Sequence, residues 1–169
     1  MDGGNYRITR LSIPTGEAGI RATLRVMCDL ANDDQVGKGG AAVLLKAREI
    51  SAPYLQKDYF REARACSNWV RDEIRYIRDP VGIELVQTPI KTLEIGCGDC
   101  DDKSTLLAAL LMSIGHPCRF IAIGTVPRKF SHVFVQTQIR NHWINAETTE
   151  PWEFGRTIGR VTSYMQMHC

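Results

Sequence analysis

No stretch of this sequence approaches the roughly 20 consecutive apolar residues that span a bilayer, so no membrane association is expected. The opening residues Met1-Asp2-Gly3-Gly4-Asn5 have neither the basic flank nor the apolar run of a secretory leader, and a cytoplasmic protein is expected. An excess of one charge is missing too: 21 basic and 19 acidic residues are interleaved, for a net charge of +2. Without a basic stripe there is no electrostatic footprint for nucleic acid. Internal repeats and low-complexity segments are absent. At 44% hydrophobic and 24% charged residues the composition is that of a globular protein, neither disordered nor fibrous. The 169 residues suit a single domain with one hydrophobic core.

Cysteine is present but not in a disulfide or metal pattern. The six, at 28, 66, 97, 100, 118 and 169, come with no leader in a chain above disulfide-scaffold size, so reduced thiols are expected. Cys66 in a helical pattern and Cys118 at the head of an apolar run read as small core residues. Cys97-Gly98-Asp99-Cys100 is a Cys-x-x-Cys, yet no second such pair and no paired histidines supply the other ligands of a structural zinc. A thioredoxin-like site would need a strand feeding the motif inside a βαβ unit, and 92–95 is a poor strand. No metal and no cofactor is expected.

Glycines at 3, 4, 16, 19, 37, 39 and 40 mark residues 1–40 as an arm carrying one short element over 20–31, with the domain proper at 41–169. Helices are predicted over 41–51 and 57–77; in the second, Phe60, Ala63, Cys66, Val70, Ile74 and Ile77 recur every three or four residues, which makes one buried stripe. Asp79-Pro80, Gly82 and Pro89 break that pattern. Residues 101–114 are almost solidly apolar after an acidic start and stop at Gly115 and Pro117, as a buried helix does. Strands follow over 118–124, 131–139 and 142–148, the last two joined by Arg140-Asn141, while the tail after Pro151 has no clear pattern. Helices followed by an antiparallel meander define an α+β fold.

Cys100 opens the buried helix, where unpaired N–H groups and the helix dipole favour a thiolate. Asp99, Asp101 and Asp102 act against it, so a cation would have to outweigh them. His132, at the head of a strand inside an apolar hairpin, is the best placed of the four histidines to activate a thiol; His116, His142 and His168 look like surface residues. If Arg140-Asn141 is a two-residue turn, Ile139 pairs with His142 and Phe134 with Glu147. His132 then shares a face with Glu147, about 7–8 Å away on the diagonal.

Gly98-Asp99-Cys100-Asp101-Asp102-Lys103 with Leu106-Leu107-Ala108-Ala109-Leu110-Leu111, then Ser131-His132-Val133-Phe134-Val135, then Trp143-Ile144-Asn145-Ala146-Glu147-Thr148, resembles the bacterial and phage transglutaminase-like cysteine proteases over about 79–149. The resemblance implies a papain-like or transglutaminase-like core and a triad of Cys100, His132 and Glu147. Where that family more often has aspartate after Trp-x-x-x, this chain has Glu147. The implied chemistry is acyl transfer: His132 takes the thiol proton, Cys100 attacks an amide or ester carbonyl, and the acyl group passes to water or an amine. The backbone N–H of Cys100 would serve an oxyanion hole, with Gln87 a second donor by residue type alone. A protein or peptide substrate is expected, with peptide or amide hydrolysis as the default reaction. The alternative is a non-catalytic module of phage or prophage morphogenesis, partnered by phage structural proteins, with a redox or zinc site at Cys97-Gly98-Asp99-Cys100 ranked below it.

Overall fold

The computed structural model describes residues 14–55, 57–80 and 85–169. In chain order its elements are α1 (Glu17–Asn32), α2 (Ala41–Ser51), α3 (Tyr59–Glu73), β1 (Arg75–Tyr76), α4 (Pro89–Ile95), β2 (Cys97–Gly98), α5 (Cys100–Ser113), β3 (Cys118–Gly124), β4 (His132–Ile139), β5 (His142–Ala146) and β6 (Ser163–His168). The fold is α+β. A four-stranded antiparallel sheet in the order β5-β4-β3-β6 packs against α5, and a small parallel pair, β1-β2, runs into the start of that helix.

The centre of the molecule is α5. Every residue from Asp101 to Leu111 is buried, because α1, α2, α3 and α4 surround it and β4 lies along it. A helix wrapped on all sides needs no polar face, which explains its nearly unbroken apolar run. On the sheet, Phe120, Ala122, Val133, Val135, Ala146 and Met165 face this core, and the strand alternation sends their neighbours to the other side. Ser104 of α5 donates to the carbonyl of Val133 at 3.3 Å, pinning helix to strand. Lys103 is only 2% exposed, and its ammonium donates to the carbonyls of Arg71 and Ile74 at the C-terminal end of α3. It neutralises the negative end of that helix.

Several expectations need correction. Residues 20–31 belong to a 16-residue helix, α1, longer than the short element expected there, whose Leu24, Met27 and Ala31 enter the common core; residues 1–13 of the expected arm lie outside the described residues. Residues 89–95 form a helix rather than a connection: Thr88 caps it by accepting from the N–H of Lys91, Pro89 occupies its first position, and Gly96 ends it at φ 65°. The predicted long helix stops at Glu73, and Arg75-Tyr76 becomes β1. The patternless tail supplies β6, which closes the sheet beside β3. Cys28 and Cys169 are not free thiols but a disulfide tying α1 to the end of β6. Cys66 and Cys118 are buried in the core, as their contexts suggested.

Candidate active site

Cys100 is the first residue of α5. Asp99 caps the helix, its carboxylate accepting the N–H of Asp101 at 2.9 Å and of Asp102 at 3.3 Å, while Asp102 reaches back to the N–H of Asp99 at 3.2 Å. This reciprocal box holds the thiol at the helix mouth. Gly98 is required beside it: a Cβ there would come within 2.5 Å of the Cβ of Asp102.

His132 begins β4, and the hairpin to β5 has the register expected of a two-residue turn, with Ile139 opposite His142 and Val135 opposite Ala146. Continuing that register brings Glu147 beside His132, and Nε2 of His132 lies 2.6 Å from Oε2 of Glu147. The other carboxylate oxygen of Glu147 accepts the N–H groups of Thr148 and Thr149 and the hydroxyl of Thr149. Burial would raise this carboxyl, but the His132 bond and those from Thr149 outweigh it and hold it below its ordinary value. An ionised acceptor places the hydrogen on Nε2 and leaves Nδ1 as the basic nitrogen.

Cys100 and His132 line one cavity of about 190 Å³, with Asp99, Asp101, Ile20 of α1 and Phe130 among its walls. The sulfur accepts the N–H of Val133, the residue after His132, and its S–H donates to Oδ1 of Asp101 at 3.5 Å. Burial, then the charges of Asp101 and Asp99, push the thiol far above its ordinary range, and the Val133 bond does not compensate. Burial, with the flanking carboxylates second, therefore keeps the thiol protonated despite its place at the helix start.

Gln87 does not face the thiol. Its Nε2 donates to Oδ2 of Asp102 at 2.7 Å and lies 3.5 Å from the carbonyl of Cys97, and its backbone N–H also binds Asp102. It supports the capping box instead of supplying a donor at the sulfur. The phenol of Tyr76, which went unnoticed in the sequence, is raised by burial and by the nearby Cys100 charge, with Arg78 hydrogen-bonded to it and pulling the other way. Only the pairing of β1 with β2, Tyr76 opposite Gly98, brings it there, and two residues of strand leave no periodic signal. His116 is buried rather than exposed, its Nε2 3.3 Å from Glu62, and burial lowers its pKa; His142 and His168 are exposed.

Among the described residues, Asp99, Cys100 and Asp101 have ligand atoms all within 4.8 Å of one another. Asp99 also caps α5 and Asp101 accepts the S–H of Cys100. No helix among the described residues is long and apolar enough to cross a membrane.

A buried central helix wrapped by other helices and packed on an antiparallel sheet is an architecture shared with known structures. A candidate protease from Parabacteroides distasonis superposes with a TM-score of 0.61 at 12% identity, over 76% of this chain and 26% of that one. A candidate cysteine protease from Cytophaga hutchinsonii gives 0.56 at 14% identity, over 85% and 56%. A TGase gives 0.52 at 14% identity, over 83% and 40%. This chain thus spans from about a quarter to just over half of those proteins. The model of the transglutaminase-like superfamily matches residues 47–148, more than half of the chain, which belongs to that superfamily. No curated sequence matches it.

Proposed function

We propose that this protein is a thiol-dependent acyl-transfer enzyme in which Cys100 is the nucleophile, His132 its base and Glu147 the residue that orients the imidazole. One observation carries the reading: a cysteine at a helix start and a histidine bonded at 2.6 Å to a buried glutamate line the same cavity. As the sulfur attacks a carbonyl carbon, its proton passes to Nδ1 of His132. The imidazolium is stabilised by Glu147, then gives the proton to the leaving amine. The backbone N–H of Cys100 receives the developing oxyanion. Water or an amine then takes the acyl group from sulfur. The substrate in this reading is a protein or peptide, and the default outcome is hydrolysis.

The test uses p-nitrophenyl acetate as acyl donor, with the acetylated cysteine located by mass spectrometry. Acetylation should fall on Cys100, vanish in Cys100→Ser, and slow by about 10²–10⁴-fold in His132→Ala. Acetylation spread over other cysteines, or unchanged in His132→Ala, would overturn the proposal.

A second reading, a non-catalytic module binding phage structural proteins, is favoured by the two carboxylates that oppose ionisation of the thiol. It predicts assembly defects on disrupting the fold that Cys100→Ser does not reproduce.

A further inference from the structure

The sulfur of Cys100 is held on two sides. Val133 donates its N–H to it from β4, and the thiol hydrogen points at Asp101, whose carboxylate oxygen is 3.5 Å away. Asp101 is only 8% exposed and is fixed at both ends of its own residue, its N–H bound to Asp99 and its carbonyl to the hydroxyl of Thr105 at 2.7 Å. A buried carboxylate at this distance opposes a second negative charge on the sulfur.

We propose that Asp101 is a positioning residue that keeps Cys100 protonated in the free protein, receiving the S–H bond and opposing ionisation of the sulfur until His132 removes the proton during attack. The sulfur at rest is thus a neutral thiol, not a thiolate. The proton balance is simple: the S–H bond breaks only as the sulfur–carbon bond forms, and the hydrogen goes to Nδ1 of His132. The consequence is a sulfur with little reactivity toward alkylating agents or peroxides when no acyl substrate is bound, because the thiolate is the reactive form.

The other groups facing this sulfur do not replace Asp101. Asp99 spends its carboxylate on the helix cap, and burial and Asp102 raise it to about 6, so it is partly protonated just below neutrality. From β4 comes the imidazole of His132, the phenol of Tyr76 on β1 lies outside the cavity lining, and Ile20, Thr23 and Leu24 of α1 bring no charge to the cavity.

The decisive variant is Asp101→Asn, which keeps an acceptor oxygen toward the thiol and removes only the charge. Iodoacetamide labelling of each cysteine is followed by mass spectrometry from pH 6 to 10. In Asp101→Asn the labelling midpoint of Cys100 should fall by at least about one pH unit, with labelling at neutral pH at least about tenfold faster, whereas Asp101→Glu should stay close to wild type. Superimposable Asp101→Asn and wild-type profiles would overturn the proposal, as would a shift produced by Asp99→Asn but not by Asp101→Asn. Protection of Cys66 and Cys118 reports that each variant is folded. Should Asp101→Asn not fold, the wild-type minus Cys100→Ser infrared difference spectrum at about pH 9.5, above the range of a free thiol, decides: an S–H band in the difference supports a thiol kept protonated, and its absence overturns it. The inference rests on Cys100 being the nucleophile proposed above. Labelling reads only the ionisation of the sulfur, so loss of the His132→Ala effect on acetylation would defeat the triad and leave the Asp101 result standing.

Discussion

At the scale of single residues, the site is governed by which polar groups are satisfied. All four groups bonded to Glu147 favour its charged form, and the bond to Nε2 selects one imidazole tautomer. Glu147→Gln removes that selection while filling the same space. It should slow acetylation of Cys100 by about 10²–10⁴-fold with an unchanged circular dichroism spectrum, and an unslowed variant would show that the imidazole needs no orienting charge. The extra methylene of glutamate relative to aspartate is taken up by the two threonines that fix its second oxygen. Gln87 illustrates the converse. Its residue type suits an oxyanion donor, but Asp102 needs two donors in its buried position and takes both the backbone and side-chain N–H of Gln87.

At the scale of elements, α5 does two jobs: its first turn presents Cys100 and the rest fills the core. Leu106, Leu107, Leu110 and Leu111 are fully buried, so each methyl group has protein on every side. Leu110→Ala should cost about 2–5 kcal/mol, lowering the melting temperature by roughly 5–15 °C in a calorimetric scan. A much smaller loss would mean that the surrounding helices collapse into the space. The expected bounds of α2 and β3 coincide with the observed ones, since a pattern repeated over seven or more residues carries its own evidence. Short elements lack that redundancy. For α4 the usable signal was Thr88-Pro89 at the start and Gly96 at the end, three residues outweighed by reading Pro89 as a break.

At the scale of the whole molecule, burial sets the pH response. Burial raises Cys66 and Cys118 to about 12 in the folded chain, with the Glu62 charge adding at Cys66. A folded pKa above the unfolded one gives stability that is complete below about pH 9 and is lost as pH rises toward 12, at about 1.4 kcal/mol per pH unit for each thiol. Lys103, pulled to about 8 by burial, works the other way: its contribution grows as pH rises from about 8 to 10.5. Since the thiols outnumber it, urea midpoints should fall above pH 9. Cys66→Ala should flatten that fall, and equal slopes in both proteins would show that the Cys66 thiol has the same pKa folded and unfolded.

By itself the sequence determined the class of the fold, the buried helix that begins at Cys100, the hairpin and its register, and hence that His132 and Glu147 would be neighbours. Each follows from periodicity and turn length, which are local. Only the tertiary structure decided that α1 roofs the cavity, that Cys28 meets Cys169, that the tail returns as β6, and that Tyr76 stands near the thiol. It also decided the charge of the site. The helix start and the flanking aspartates pull the thiol in opposite directions, and their balance depends on how much water burial removes, a quantity no run of residues contains.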